Sequence, residues 1–156
     1  MPSHYRGSDS ELRALNAYIA LMRCAASVTT RIHRHLTTVA LTIGQFGALE
    51  ALLHLGPMAQ HELARKLLCS EGNMTTVLNN LQRRGLVQRS RDQKDRRRSL
   101  VRLTSQGEEL MREVFPRHVT EVVRQVGWLA GEEQDQLRAV CRKLGVGPQG
   151  QGTATP

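Results

Sequence analysis

The chain of 156 residues carries 22 Lys and Arg against 14 Asp and Glu, a formal net charge of +8. That length fits one ordinary domain with a core that needs no disulfide or metal, and that charge points to a polyanion, either nucleic acid or an anionic membrane surface. No apolar run approaches the ~18 residues of a membrane span, the N-terminal MPSHYRGSDSE lacks the apolar stretch of a secretion signal, and three cysteines exclude a complete intrachain disulfide set; a cytoplasmic protein without a membrane partner is expected.

Residues 1–9 read as a mobile tail. A first helix is predicted over 10–39. Leu12, Leu15, Ile19, Met22 and Ala26 form one apolar row along it, and Leu21, Ala25, Val28, Ile32 and Val39 form a second. At about 100° per residue the two rows cover roughly half the circumference, more than one packing face needs. The surplus predicts a second subunit. Thr42-Ile43-Gly44-Gln45 has the capping-box pattern that opens a second helix, with Phe46, Leu49, Leu52 and Leu53 inward and Gly56-Pro57 as its stop. A third helix is expected over 60–68. Ser70 then caps a fourth over 71–84, which Gly85 ends. Two short helices across a tight turn make a helix-turn-helix.

After Gly85 the apolar period changes. Residues 86–90 and 100–103 read as two strands around the charged loop 91–98, and a charged hairpin directly after a helix-turn-helix is a wing. Thr104 caps a further helix in which Pro116 is expected to cause a kink or break. A last helix is predicted over 131–144, and the Gly-, Pro- and Gln-rich stretch 145–156 reads as a disordered tail. The fold class is mostly α with a small β-wing: a winged helix-turn-helix over 42–104, flanked by dimerisation helices over 10–39 and 105–144.

The charge is concentrated. Arg83, Arg84, Arg89, Arg91, Lys94, Arg96, Arg97, Arg98 and Arg102 face only Asp92 and Asp95 in the same stretch, which leaves +7 of the net +8 there. Phosphate contacts reward such a bias, because each one releases condensed counterions. On the fourth helix Met74, Val77, Leu78 and Leu81 point inward. The opposite face holds Gly72, Asn73, Thr75, Thr76, Asn79, Asn80 and Arg83. Asn pairs bidentately with adenine, and Thr methyls pack on thymine methyls. A merely solvated face explains this less well, since two adjacent Asn residues in a helix interior cost helix propensity. In the loop, Arg91, Lys94, Asp95, Arg96, Arg97 and Arg98 are the candidate wing contacts; Asp95 orients Arg97 for insertion into a narrow minor groove. The partner read from these residues is double-stranded DNA. A non-specific architectural DNA binder is the rival. An enzyme is not expected: no Gly-rich phosphate loop, nucleophile elbow or H-E-x-x-H is present.

LTIGQFGALEALLHLGP, QHELARKLLCSEGNMTTVLNNLQRRGLVQR and DRRRSLVRLTSQG resemble the MarR family of winged-helix regulators, the last through its Asp-Arg-Arg…Leu-Thr…Gly pattern. The preceding LNAYIALMRCAASVTTRIHRHL is similar to that family's dimerisation helix, so the resemblance runs from about Leu12 to Leu144. It implies a homodimer on a palindromic operator, a repressor released by a small phenolic or aromatic ligand or by thiol oxidation, and a match of Asp95 and Arg97 to the wing-tip pair. Gln-Phe…Leu-Glu…Leu-His and Gly-Asn-Met-Thr suggest the phenol- and quinone-responsive branch. Ala59 departs from the family pattern, in which a Ser or Thr often caps the third helix. Tyr18, Met22 and His33 are the candidate effector-pocket residues, and Cys24 is the candidate for oxidation. No metal site is expected. His33 and His35 stand two residues apart, about 200° around a helix, and cannot share an ion from it. No cofactor is implied.

Overall fold

The computed structural model describes residues 5–91 and 99–147. Helix α1 spans Asp9–Ile32, α2 Ile43–Leu55, α3 Gln60–Lys66, α4 Glu71–Arg83, α5 Ser105–Val126 and α6 Gly131–Val146. Strands β1 (Met58–Ala59), β2 (Val87–Arg91) and β3 (Ser99–Leu103) form one antiparallel sheet in the order β1-β3-β2. β3 is central, with Val101 opposite Met58 on one side and Arg89 on the other. β1 was not expected from the sequence, because two residues carry no readable period.

The helix starts follow from local chemistry. Thr42 Oγ1 accepts the Gln45 N–H at 3.2 Å and Gln45 Oε1 accepts the Thr42 N–H at 3.0 Å. Ser70 Oγ accepts the Asn73 N–H, and Thr104 Oγ1 accepts the Gly107 N–H. Each bond satisfies a donor the first helical turn leaves free. Ala59 offers no side-chain acceptor at the start of α3; only half a capping box forms there, from the Ala59 N–H to Glu62 Oε2. Gly85, at φ +69, turns the chain from α4 into β2 through a Leu86 N–H to Leu81 C=O bond.

Four sequence expectations need correction. The first helix does not run over 10–39: it ends at Ile32, and His33–Val39 continues as a 3-10 helix. In that segment the Thr37 and Thr38 hydroxyls donate to the carbonyls of Arg34 and His35, three residues back. Three consecutive β-branched residues (Thr37, Thr38, Val39) also fit poorly in an α-helix. Within the expected tail 1–9, Ser8 caps α1 through a full capping box with Glu11. Pro116 does not break α5; the Arg112 carbonyl that loses its donor belongs to an exposed residue, where solvent is available. Finally, α6 runs two residues into the expected C-terminal tail.

The core sits where α2, α3, α4 and α5 meet the sheet. Leu36, Phe46, Leu49, Leu63, Met74, Leu78, Leu81, Val101, Met111 and Val114 are fully buried. The 3-10 segment feeds Leu36 into this core, and its end is tied to α4. Arg84 donates to the carbonyls of Ala40 at 2.6 Å and Val39 at 3.0 Å. By contrast, α1 buries only Ile32 and α6 buries nothing within one chain. Among the described residues, no single helix is long and apolar enough to cross a membrane.

Candidate nucleic-acid interface

The pair α3–α4 is joined by a turn with an uncommon residue at its bend. Leu68 has φ +52, in the left-handed region, and is 94% exposed. The bond from the Cys69 N–H to the Ala64 carbonyl closes the turn six residues wide, the motif in which glycine is usual. Met74, Leu78 and Leu81 bury one side of α4. Gly72, Asn73, Thr76, Asn79 and Arg83 are exposed, while Thr75 and Asn80 are half-buried. A Cβ on Gly72 would meet nothing within 4 Å, so this end of α4 is open to an approaching surface.

These side chains are linked to one another. Arg89 on β2 reaches under α4 and donates to Gln82 Oε1 at 2.8 Å and to Asn79 Oδ1 at 3.0 Å. Gln60, the first residue of α3, donates through Nε2 to Thr75 Oγ1 at 2.8 Å, and Thr75 in turn donates to the Glu71 carbonyl. Arg83 donates to Asn80 Oδ1 one turn back. The sequence does not single out Gln60 or Gln82 for this face, and it offers Arg89 only as one of the basic residues suited to phosphate. Only the run of arginines after α4 hinted at Arg89, and sequence spacing does not show that three elements meet at it. Arg84, counted in the same charged stretch, is committed to the 3-10 segment instead. Arg91 closes β2 opposite Ser99. Lys94, Asp95, Arg96, Arg97 and Arg98 lie outside the described residues.

The candidate switch residues are scattered. Tyr18 and Met22 are exposed on α1, at 61% and 50%. His33 stands eleven residues beyond Met22, roughly 16 Å along the axis, so the three do not form one pocket within a chain. His33 instead joins a cluster. Its ring lies 5.3 Å from that of His118, which is also 5.7 Å from His35 and 4.6 Å from Phe46. Both His33 and His35 therefore reach one neighbour, because the segment is not the α-helix on which they were expected to diverge. The Nδ1 atoms of His33 and His35 bond to the carbonyls of Thr29 and Ile32. Burial, and next the facing His33 and His35, hold the His118 pKa below its usual value. Among the described residues, no group of three or more His, Cys, Asp or Glu side chains has the arrangement of a metal site.

Cys24 and Cys141 are exposed and both line a groove of about 910 Å³ between α1, the end of α5 and α6. Cys69 is half-buried against the core. A second cleft, of about 470 Å³, separates α2 from α5; Leu52, Leu53, Leu103, Met111 and Phe115 line it, with Arg112 and Glu108 at its polar side.

Known proteins share this arrangement. The MarR family profile matches residues 41–99, from the start of α2 to the first residue of β3. The HTH-type transcriptional regulator YkoM of Bacillus subtilis is 32% identical over 137 residues, covering 88% of this chain and 89% of that protein. AbsC, a MarR family transcriptional regulator from Streptomyces coelicolor, superposes with a TM-score of 0.81 at 25% identity, over 94% of this chain and 99% of AbsC. BpsR of Bordetella bronchiseptica, whose DNA binding is regulated by 6-hydroxynicotinic acid, has the same fold, with a TM-score of 0.73 at 24% identity over 93% and 98% of the two chains. The helix-turn-helix, the three-stranded sheet and the long flanking helices are thus those of its relatives, and the chain belongs to the MarR family of transcriptional regulators.

Proposed function

We propose that the protein is a cytoplasmic, homodimeric repressor that binds a palindromic operator through α4 and the wing. Gly72, Asn73, Thr75, Thr76, Asn79, Asn80 and Arg83 face the major groove, and Arg91, Lys94, Asp95, Arg96, Arg97 and Arg98 lie along the adjoining backbone and minor groove. The observation that carries this reading is the open polar face of α4, with Arg83 and Arg89 bonded into it, followed in the sequence by the arginine-rich stretch 91–98. The dimer sets two such faces about 34–36 Å apart, one turn of duplex. Selection of bound duplexes from a random pool tests it. A two-fold symmetric site is expected, with Arg97→Ala weakening binding to it while the protein stays folded. Equal retention of all sequences would favour an architectural DNA binder, and wild-type affinity in Arg97→Ala would remove the wing from the interface.

The effector is a small aromatic or phenolic compound held between the winged domain and the dimerisation helices. The cleft between α2 and α5 supports this: its 470 Å³ and largely apolar lining suit one aromatic ring, and α5 connects it to the flanking helices. A ligand there favours a spacing of the two α4 helices that DNA does not accept, so each weakens the other by the same factor. A second reading, release by thiol oxidation, is favoured by Cys24 and Cys141 lining one groove. A gel-shift panel of phenols, quinones and peroxide on wild type and Cys24→Ser separates the two. Release by a phenol that persists in Cys24→Ser supports the cleft, whereas release only by quinone or peroxide, lost in that variant, supports the thiol.

A further inference from the structure

Asn79 and Asn80, in the second half of α4, do not present unencumbered amides. An Asn that reads adenine must accept from the base N6 amino group through Oδ1 while donating to N7 through Nδ2. In this structure Asn79 Oδ1 already accepts from Arg89 at 3.0 Å, and Asn80 Oδ1 accepts from Arg83. In both side chains a guanidinium takes one of the amide oxygen's two lone pairs and sets its positive charge beside the other. Arg89 is not a loose surface residue, because it sits in β2 opposite Val101 of the central strand and holds Gln82 Oε1 at 2.8 Å with its other nitrogen. Thr75 adds no free donor, since its hydroxyl is committed to the Glu71 carbonyl while it accepts from Gln60. The donors on this part of α4 are the Nδ2 groups of Asn79 and Asn80 and the guanidinium of Arg83, while the oxygens of both amides already accept one bond each.

We infer that Arg89 is a specificity-determining residue that holds the Asn79 oxygen to itself and leaves the amide nitrogen as the group Asn79 offers to DNA, so that the helix selects a guanine edge rather than adenine at the base pair Asn79 reaches. Guanine offers two acceptors in the major groove, O6 and N7. Adenine places its N6 donor against an Asn79 oxygen that already accepts from Arg89 and has that guanidinium's positive charge beside it, and a donor poorly matched at a closed interface is penalised. The inference rests on α4 being the DNA-reading helix, and Arg89 acts through Asn79 rather than on the base.

The test is selection from a random duplex pool by the full-length protein, followed by binding titrations of the selected site with each G·C pair changed to A·T. Asn79→Ala marks the pair concerned, as the position where base preference flattens. At that pair wild type prefers guanine by about tenfold or more, the range of one good base contact. Arg89→Met, which frees the Asn79 carbonyl, shifts the preference toward adenine there and leaves the other positions unchanged. Arg89→Lys provides a second variant if Arg89→Met fails to fold; it keeps the charge but loses the two-pronged grip, and it shifts the preference in the same direction. A site with adenine at the marked pair in wild type, or an unchanged guanine preference in both Arg89 variants, overturns the inference while leaving α4 as the reader. A selected site indifferent to every α4 substitution defeats the underlying assignment instead.

Discussion

At the scale of single residues, backbone strain at Leu68 and a proton-sensitive site at His118 each give a test. Leu68 holds a left-handed conformation with 94% of its surface exposed, so its side chain contributes almost no burial while its Cβ strains the backbone. Leu68→Gly is expected to stabilise the fold by about 1 kcal/mol, read as a rise in Tm; a fall would mean that the leucine makes a contact in the assembled protein. His118 faces His33 and His35 from the 3-10 segment, Phe46 from α2 and Phe115 from its own helix. Its pKa is lowered by burial first and by the two histidines next. The unfolded chain, titrating near about 6.5, therefore binds more protons than the folded one below that pH. Stability from this site is complete above about pH 6.5 and is lost as pH falls through the lowered value. Thermal melts from pH 7.5 to 5 should show a smaller loss for His118→Phe than for wild type, and parallel curves would dismiss the site. The caps at Thr42, Ser70 and Thr104 were legible in the sequence because a cap is a matter of three neighbouring residues. The strain at Leu68 and the roles of Arg84 and Arg89 were not, because each depends on a conformation or on partners that spacing does not encode.

Among the elements, the helix-turn-helix and the hairpin were legible because their apolar residues change period from 3.6 to 2 at Gly85, with Gly and Ser punctuating each end. The end of α1 was misread because its apolar positions continue in phase to Val39, while the switch to 3-10 geometry is set by threonine hydroxyls and by the docking of His33 and His35 on α5. The junction between the sheet and α5 shows what holds the winged domain to the flanking helix. Thr104 donates to the Gly85 carbonyl at 2.5 Å and its N–H donates to the Leu86 carbonyl. A Cβ on Gly107 would fall on that same Leu86 carbonyl oxygen. Any side chain there pushes α5 off β2. Gly107→Ala is expected to destabilise by about 1–3 kcal/mol, as overpacking of a close contact does, although alanine is the better helix former. A denaturation midpoint equal to wild type would show that the junction yields freely.

For the whole molecule, the strongest constraint is apolar surface that one chain leaves uncovered. Tyr18 and Met22 on α1, Val123 near the end of α5, Trp128 in the turn after it, and Val140 and Leu144 on α6 are each at least half exposed, with Trp128 at 86%. Those on α1 and α6 lie on the helices that bury least within one chain, and together the six exceed the scattered apolar exposure normal for a monomer. The sequence showed this as an apolar arc too wide for a single packing face. A second copy accounts for it, and an obligate interface of this kind buries roughly 2,000 Å² or more. On the function proposed above, the same interface would serve DNA binding: once one α4 is seated, the dimer would hold the other near its half-site at an effective concentration on the order of millimolar, so loss of the dimer would cost affinity without altering any DNA-contacting residue. Val140→Glu with Leu144→Glu places two charges per chain in that seam, where burying them unpaired is costly. Wild type is expected to sediment as a dimer at micromolar concentration. The double variant should sediment as a monomer, melt at lower temperature and bind a full palindrome no more tightly than a half-site, with the α4 face unchanged. A wild-type monomer at that concentration, or a double variant that still distinguishes the palindrome from its half, would show that the exposed face of α1 and α6 is covered by something other than a second copy.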